Sequence, residues 1–387
     1  MDLHVGAVAH GGHCVARAGD DPAGRVVFVR HALPGERVHA VVTEDLGGRF
    51  CRADAIAVLS PSPDRVEPPC AWARAGGCGG CDFQHATHAA QRALKAAVLA
   101  EQLRRIAGIE RDVVVEELPG GPLGWRHRVR LAVDGEGRGG LRAHRSHDVL
   151  PIADCPLAPP GLLPPVLAGR LPPRSEVEVV RDADGATHVV PGGPGGPVLQ
   201  RAAGREWHLS PGTFWQVHPE LAATLAGVVA EWADAPPGGT TWDLYGGVGL
   251  FAAVLAGQVG PDGAVHVVEA GTRAVLDGAA ALADLPQVTW TEGRVERMLG
   301  RLPGATALTG PDVVVADPPR RGLGEALVGA LCARRPARVV HVACDPAALA
   351  RDVAAFARHG YALARLRAFD AFPMTHHMEC VALVERV

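Results

Sequence analysis

The spacing of apolar and polar residues changes character along the chain. Short runs that alternate, such as Arg25-Val-Val-Phe-Val29 and Arg37-Val-His-Ala-Val-Val42, are typical of strands in a small barrel. Further short strands follow, and towards the carboxyl terminus apolar strands alternate with helical stretches. The pattern predicts an α/β fold in three parts, with a β-barrel over residues 1–60, a β-rich central domain over 61–205 and a Rossmann-like domain over 206–387.

The first candidate binding site in the α/β domain is a glycine-rich loop. Gly246-Gly-Val-Gly249 lies between a predicted strand and a predicted helix, and a second strand ends in Glu269, 20 residues after Gly249. Glycines such as Gly247 and Gly249 let the backbone approach a nucleotide, and an acid at this distance reaches ribose hydroxyls. The full G-x-G-x-x-G pattern is absent, which argues against a dinucleotide. A nucleoside that bears a sulfonium, namely S-adenosylmethionine, fits better.

Two later strands are predicted to end in reactive groups. The stretch Asp312-Val-Val-Val-Ala-Asp317-Pro-Pro-Arg320 places Asp317 at a strand tip, and Val339-Val-His-Val-Ala-Cys344-Asp-Pro346 does the same for Cys344. Ligands of α/β sheets bind beyond the carboxyl ends of the strands, so Cys344 is a candidate nucleophile. Considered alone, it is more often a buried core cysteine. Arg320 replaces the aromatic residue of methyltransferases that act on exocyclic amines, so such an amine is not the expected target.

The chain has nine cysteines, and four of them are candidates for a metal centre. Cys70, Cys78 and Cys81 are separated by glycines, and Cys155 lies in Asp154-Cys-Pro156. Glycine permits the positive φ angles and close backbone approach that sulfur ligation needs, and four thiols suit either an iron-sulfur cluster or zinc. The remaining spacings predict ordinary buried residues at four further positions: Cys14, Cys51, Cys332 and Cys380.

Composition narrows the class of protein. No run of about 18 apolar residues is present, and the amino terminus lacks a secretory pattern, so we expect a cytoplasmic monomer with no membrane partner. The net charge of −4 does not point to a nucleic-acid binder, although it leaves room for a local patch. Lys95 is the only lysine, and the alternation Trp125-Arg-His-Arg-Val-Arg-Leu131 predicts Arg126, Arg128 and Arg130 on one face of a strand. That face either meets phosphates or is solvated.

Taken in order, these motifs resemble the class I, S-adenosylmethionine-dependent RNA uracil-5 methyltransferase family, in the branch with a TRAM domain and a 4Fe-4S cluster. The resemblance covers nearly the whole chain and depends on six motifs: Gly77-Cys78-Gly-Gly-Cys81, Phe214-Trp-Gln216, Asp243-Leu-Tyr-Gly-Gly-Val-Gly249, Asp317-Pro-Pro-Arg-Arg-Gly322, Ala343-Cys-Asp-Pro346 and Phe372-Pro-Met-Thr-His-His-Met-Glu379. Three departures are the long spacing from Cys70 to Cys78, His218 in place of Asn, and Leu250 in place of a polar residue.

The resemblance implies a role for each candidate. Cys344 would add to carbon 6 of uracil, and Glu379, at the junction of a loop and the last strand, would be the base. Contacts to S-adenosylmethionine would come from Gln216, Tyr245, Glu269 and Asp317, and the cluster ligands would be Cys70, Cys78, Cys81 and Cys155. The implied substrate is a uridine in ribosomal RNA, with the transfer RNA T-loop as the alternative.

Two other functions compete with this interpretation. A cytosine-5 methyltransferase uses the same thiolate chemistry, but it typically places the cysteine after a proline, whereas Cys344 precedes Asp345-Pro346. A non-catalytic RNA-binding or cluster-assembly protein on the same scaffold would not need Cys344, Glu379, Asp317 and the glycine loop together.

Overall fold

The computed structural model describes residues 1–20, 23–190, 196–303 and 310–387. Contacts within the chain divide it into two compact units, each assembled from three segments. The first unit is made of 1–101, 113–179 and 370–377, and the second of 102–112, 180–369 and 378–387. Most of the loop predicted from the glycines and prolines of 191–197 lies outside the described residues.

The first unit begins with a closed five-stranded barrel, as predicted. Its strands are β1 (Asp2–Ala9), β2 (His13–Arg17), β3 (Val26–Arg30), β4 (Arg37–Glu44) and β5 (Phe50–Ser60). They follow the order β1-β2-β3-β5-β4, with β3 and β5 parallel. Alternate residues such as Val27 and Val29 point inward and are fully buried. Phe83 and Val98, from the chain that follows the barrel, complete this core.

The rest of the first unit contains short strands and one long helix. The elements are α1 (His88–Gln102), β6 (Val115–Glu117), β7 (Arg128–Val133), β8 (Gly139–Arg142), β9 (Val149–Pro151), α2 (Pro164–Leu167) and β10 (Glu176–Arg181). Thr87 caps α1, because its hydroxyl accepts a hydrogen bond from the Ala90 amide at 3.3 Å. The helix therefore begins after Thr87.

The predicted stripe of three arginines is confirmed for Arg128 and Arg130 but not for Arg126. Strand β7 begins at Arg128, so Arg126 lies before the strand and its side chain contributes to a pocket described below. Arg128 forms a 2.9 Å ion pair with Glu178, and Arg130 is exposed. The alternating stretch begins at Trp125, three residues before the hydrogen-bonded strand. Periodicity alone does not show where the strand begins.

The second unit alternates strands and helices. After a π-helical turn (Leu103–Ala107), its elements are β11 (Thr187–Val190), β12 (Val198–Ala202), β13 (Arg205–Leu209), α3 (Leu221–Ala233), β14 (Thr240–Leu244), α4 (Leu250–Val259), β15 (Ala264–Glu269), α5 (Thr272–Ala281), β16 (Val288–Glu292), α6 (Val295–Met298), β17 (Val313–Ala316), α7 (Glu325–Cys332), β18 (Arg338–Ala343), α8 (Pro346–Arg358), β19 (Tyr361–Asp370) and β20 (Glu379–Arg386). Strands β12 and β13 form a separate hairpin.

Seven strands of this unit form one twisted sheet in the order β16-β15-β14-β17-β18-β20-β19. The first five are parallel, and β20 is antiparallel to both of its neighbours. The order reverses between β14 and β17, where the carboxyl ends of the strands open a crevice. None of the helices in the part of the chain that the structure describes has the length and hydrophobicity that a membrane span requires.

Candidate active site and cysteine pocket

The antiparallel pairing of β18 and β20 brings Cys344 and Glu379 together. Ala343 is paired with Cys380 at the end of the ladder, and Cys344 and Glu379 are the residues that adjoin that pair. The charge of Glu379 raises the pKa of the Cys344 thiol, so the two side chains lie close enough to interact. A thiol and a carboxylate that are 35 positions apart in the sequence therefore share one edge of the sheet.

Cys344 occupies the junction between β18 and α8. Asp345 caps the helix, because its Oδ1 accepts a hydrogen bond from the Ala348 amide at 2.7 Å. Pro346 follows at the first helical position, where its missing amide hydrogen costs nothing. The extended backbone of Asp345 ends the strand, so the half-buried Cys344 side chain is held at the crevice.

Buried negative charges dominate the electrostatics of this edge. Burial, together with the charges of Glu379 and Asp317, raises the pKa of the Cys344 thiol to about 12, and Arg320 opposes this shift. Burial and the charge of Asp317 raise the pKa of Glu379 well above its usual range. The Oε1 atom of Glu379 is buried and has no hydrogen-bond partner among the described residues. The site holds a thiol and a carboxyl that are both biased towards their neutral forms.

Two more acids lie below the same crevice. Burial raises the pKa of Asp317, which directly follows β17, to about 7. Asp243, in β14, is fully buried and has its pKa raised to about 7 for the same reason. One of its oxygens accepts a 2.9 Å hydrogen bond from the Ala252 amide, and the other is unpaired within the described part of the chain. Sequence reasoning missed Asp243, although an acid inside an apolar strand was a visible signal.

The glycine loop is fastened to Glu269. The Gly247 amide donates to Glu269 Oε2 at 2.9 Å, and the Gly271 amide donates to Oε1 at 2.6 Å. Gly249 caps α4 with φ 80°, and an added Cβ there would lie 2.8 Å from Leu282. The loop therefore requires glycine at Gly249 for both its backbone angle and its packing. Glu269, at the tip of β15, is placed where a nucleoside would meet it.

The remaining predicted cofactor residues flank this loop. Tyr245 follows β14 with φ 59°, an uncommon angle for a non-glycine residue, and its hydroxyl donates to Glu296 at 3.3 Å. Gln216 is half-buried in the connection between β13 and α3. Next to it, Trp215 packs against Trp207, whose indole donates to the Val248 carbonyl at 2.9 Å. These contacts fix the backbone around Gln216 relative to the glycine loop.

A buried pair of side chains supports the loop after Asp317. His341 Nε2 lies 3.0 Å from an oxygen of Asp352, and both residues are buried. The same carboxylate accepts the amides of Leu323 at 2.8 Å and Gly324 at 2.9 Å. These bonds fix the end of the loop that carries Asp317 and Arg320.

The first unit contains a separate pocket that gathers the four predicted metal ligands: Cys70, Cys78, Cys81 and Cys155. Gln84 and Arg126 also line it. The Gln84 amide donates to Cys81 Sγ at 3.0 Å, and its oxygen accepts from the Cys70 amide at 3.1 Å. The Gly80 amide donates to Cys78 Sγ at 3.4 Å. The pocket therefore supplies hydrogen-bond donors to sulfur.

The thiols of this pocket are close enough to interact electrostatically. Burial, together with the charges of Cys155 and Cys78, raises the pKa of Cys81 to about 12, and the hydrogen bond from Gln84 opposes this rise. Arg126 opposes the rise in pKa of Cys78 and Cys155, which burial again causes. Anionic sulfurs would be stable here only with compensating positive charge, which a metal centre and Arg126 supply.

The structure gathers the four cysteines around one pocket but does not itself show a metal centre. Among the described residues, no group of three or more Cys, His, Asp or Glu side chains is placed to hold a metal ion. Sequence reasoning did not foresee Gln84 or Arg126 in this pocket, because each approaches it through tertiary packing.

The fold and the crevice define a class I, S-adenosylmethionine-dependent methyltransferase. A model of the tRNA (Uracil-5-)-methyltransferase family matches residues 297–387. An RNA methyltransferase of uncharacterised specificity from Streptomyces avermitilis is 44% identical, with 99% of this chain and 98% of the relative covered. The chain is also 31% identical to the 23S rRNA (uracil(1939)-C(5))-methyltransferase RlmD of Alkalilimnicola ehrlichii, over 100% of this chain and 96% of that protein.

Among solved structures, the tRNA (uracil-54, C5)-methyltransferase of Pyrococcus abyssi, in complex with S-adenosyl-L-homocysteine, has the same fold. The TM-score is 0.74 at 19% identity, and the alignment covers 99% of this chain and 100% of that one. The chain belongs to the RNA (uracil-5-)-methyltransferase family.

Proposed function

We propose that this methyltransferase transfers a methyl group to carbon 5 of a uridine in RNA through a covalent bond between Cys344 and carbon 6. The observation that carries the proposal is the pairing of Ala343 with Cys380, which brings the adjoining Cys344 and Glu379 close enough to interact. A cysteine nucleophile and a separate base are the two groups that this reaction requires.

Carbon 5 of uracil is a poor nucleophile, so Cys344 first activates the ring. The thiolate forms a bond to carbon 6, and the electron pair of the 5,6 double bond moves into an enolate. When bound, S-adenosylmethionine would supply an electrophilic methyl group. Carbon 5 bonds to this group as the bond from the methyl carbon to sulfur breaks, and S-adenosylhomocysteine leaves with that electron pair. Glu379 then removes the proton from carbon 5, the double bond re-forms, and the carbon 6–sulfur bond breaks with its electron pair returning to Cys344.

The charges around Cys344 suit a site that becomes reactive when it is filled. Without ligands, the carboxylates of Glu379 and Asp317 oppose formation of the thiolate. A bound sulfonium cation would lower the pKa of all three groups, because opposite charge favours the ionised form. Arg320 acts in the same direction on Cys344. Occupation of the crevice would thus create both the nucleophile and the ionised base.

The donor would occupy the crevice at the end of β14, β15 and β17. The residues proposed to contact it are Gln216, Tyr245, Gly247, Gly249, Glu269 and Asp317. Support comes from the position of Glu269 and Asp317 at the ends of β15 and β17, the two strands that flank β14, and from the glycine loop bonded to Glu269.

We propose a uridine of ribosomal RNA as the target, with the amino-terminal barrel as a TRAM-type RNA-binding module. A relative covered over nearly its full length acts on 23S rRNA by its name. A transfer RNA remains the second candidate, because the matching family model is described for tRNA. The base must leave its stack to reach a half-buried thiol, so a loop or a flipped uridine is expected.

Mass spectrometry of RNA from cells that lack the gene separates the two substrates. Loss of 5-methyluridine from ribosomal RNA, with transfer RNA unchanged, supports the first candidate. Loss from transfer RNA alone replaces it with the second.

The four cysteines of the pocket in the first unit are proposed to hold a 4Fe-4S cluster. Two observations support this: the four cysteines line one pocket, and amide groups donate hydrogen bonds to two of the sulfurs. Elemental analysis and visible absorbance of anaerobically purified protein decide the metal. About four irons per chain are expected, whereas stoichiometric zinc without iron would contradict the cluster.

Substitution of Glu379 tests the reaction. In Glu379→Gln, the methyl group is transferred but the carbon 5 proton stays, so a covalent protein–RNA adduct should accumulate on a denaturing gel. Glu385→Gln is the matched control, because Glu385 lies on the same strand in an ion pair with Arg338 at 3.1 Å. Absence of the adduct in Glu379→Gln, with turnover intact, would refute the assignment of the base.

A further inference from the structure

The segment that leads to Glu379 folds with the first unit. Residues 370–377 belong to that unit, whereas β19 before them and Glu379 after them belong to the second. Only Met378 separates the segment from the proposed base, and Met378 is fully buried. Residues 370–377 therefore connect the contacts of the first unit to the proposed base through the backbone.

The only lysine of the chain is committed to this segment. Lys95, on α1, is 1% exposed, and its Nζ donates to Asp370 Oδ1 at 2.5 Å and to the Phe372 carbonyl at 3.0 Å. His88, two turns earlier on the same helix, has its Nε2 2.9 Å from the other Asp370 oxygen. Burial opposes the charge of Asp370, but His88 and Lys95 more than offset it and lower its pKa.

Gln91, between His88 and Lys95, binds the middle of the segment. Its Oε1 accepts the Met374 amide at 2.8 Å, and its Nε2 lies 3.1 Å from the Met374 sulfur. The Met374 carbonyl accepts the amides of Asp82 at 2.9 Å and Phe83 at 3.0 Å. Met374 has φ 68°, an unfavourable angle for its side chain, so these bonds hold a strained backbone.

The end of the segment is held by Asp82, which directly follows Cys81. One oxygen of Asp82 lies 2.6 Å from His376 Nδ1 and accepts the His376 amide at 3.0 Å. The loop that carries three of the four pocket cysteines thus continues into the residues that bind Met374 and His376. Fixing that loop fixes the chain three residues before Glu379.

We infer that Lys95, Gln91 and Asp82 are positioning residues for Glu379, and that the cysteine loop acts through Asp82 on removal of the carbon 5 proton. This inference rests on the proposed role of Glu379. Proton removal is sensitive to the distance between base and carbon, whereas thiol addition and methyl transfer do not use Glu379. Loosening of the segment should therefore slow release of RNA and spare the steps before it.

Two variants on α1 test this inference: Gln91→Leu and Lys95→Met. The substrate is an RNA transcribed in vitro that the wild-type protein methylates. For each variant, two rates are measured in the first turnover: formation of the adduct and decay of the adduct. A displacement of roughly 1 Å at a reacting group can cost about a hundredfold, and a slowing of this order is expected for decay alone. Hydrogen exchange should show faster exchange of the amides in 370–379.

Arg92→Met is the matched control. It removes a long cation from the same helix, but Arg92 pairs with Glu117 at 2.9 Å and contacts His88, not the segment itself. Its adduct should decay at the wild-type rate. Binding of S-adenosylmethionine and the unfolding midpoint, measured for all variants, show whether each one is folded.

The outcomes separate this inference from the proposed function. Normal decay in folded Gln91→Leu, with an adduct trapped in Glu379→Gln, overturns the inference alone. An equal loss of formation and decay in Gln91→Leu also overturns it, since that result indicates a purely structural role. If Glu379→Gln traps no adduct, the proposed reaction itself fails. Should Lys95→Met not fold, Gln91→Leu, which keeps the size of the side chain, still decides the question.

Discussion

The candidate chemistry of the chain involves thiols in two places, and the groups around them have opposite effects on the thiol pKa. Cys344 lies among carboxylates, with Glu379 and Asp317 raising its pKa. The cysteine pocket of the first unit surrounds its sulfurs with amide donors and with Arg126. Burial raises the thiol pKa in both places, but carboxylates add to the rise at Cys344, whereas amide donors and Arg126 oppose it in the cysteine pocket.

The groups around each thiol match the chemistry that is proposed for it. A nucleophile that must add and then leave benefits from an anion formed only when substrate and donor are bound. Permanent metal ligands need anionic sulfur at all times. If both proposals hold, cysteine serves two chemistries in this chain, and the neighbours of each thiol account for the difference.

The largest effect should come from Cys344→Ala. Without the thiol, uracil is not activated, so methyl transfer should fall by roughly 10⁴-fold or more, while S-adenosylmethionine still binds. Methylation of RNA with a labelled donor and calorimetry of donor binding provide the two measurements. Cys332→Ala, at a buried cysteine away from the crevice, should keep its activity. Turnover in Cys344→Ala would remove the contrast between the two kinds of thiol.

The next largest effect concerns the free energy of unfolding, which should depend on pH through the buried Asp243. The folded pKa of Asp243, about 7, exceeds its usual value of 3.8, so the protonated form is favoured by folding. Its stabilising contribution is complete below pH 4 and is lost as the pH rises to 7. Asp243→Asn should therefore match the wild type near pH 4 and exceed its free energy of unfolding above pH 7, by up to about 4 kcal/mol.

Urea unfolding at both pH values measures this difference. Asp262→Asn, at an exposed acid, should show no such dependence. Equal stability of Asp243→Asn and wild type at pH 8 would show that Asp243 carries its charge without cost.

A smaller effect is expected in the cysteine pocket. Gln84→Leu removes the donor to Cys81 and the acceptor for the Cys70 amide. Loss of such a supporting partner typically weakens metal binding by about 10–100-fold. Iron retained after competition with a chelator measures this loss, with Gln200→Leu in the other unit as the control. Undiminished iron in Gln84→Leu would show that the amide donors do not stabilise the sulfurs.

The smallest effect sharpens the comparison at Cys344 itself. Its raised pKa, about 12, predicts slow alkylation by iodoacetamide at pH 7.5 and a rise of about tenfold per pH unit up to pH 10. Glu379→Gln removes a negative charge, which lowers the thiol pKa, so alkylation at pH 9.5 should become severalfold faster. Mass spectrometry of the peptide that contains Cys344 gives the rate. Slower alkylation in the variant would reverse the assigned sign.

Much of this arrangement could be predicted from local patterns. The ends of two apolar strands, at Asp317 and at Cys344, could be predicted because a proline follows within two residues and stops each strand. The five-stranded barrel followed from its alternation, and the glycine loop from its place between strand and helix. In each case a few neighbouring residues determine the structure.

Long-range pairing was not visible in the same way. The sequence placed Glu379 at a junction, but only the register of β18 and β20 brings it close to Cys344. Likewise, no local signal assigns Asp370 to Lys95, although a lone lysine on a helix was a clue. The arginine stripe was predicted incorrectly at Arg126 because alternation does not reveal where hydrogen bonding to a neighbouring strand begins.

The return of 370–377 to the first unit also bears on how such a protein can change over generations. Two modules joined by one crossing can be exchanged, duplicated or lost separately. Here the chain passes between the units several times, and one passage ends beside Glu379. A recombination event that replaced only the amino-terminal half would leave the segment without the side chains that hold it. The segments that make up the two units are therefore expected to have been inherited together.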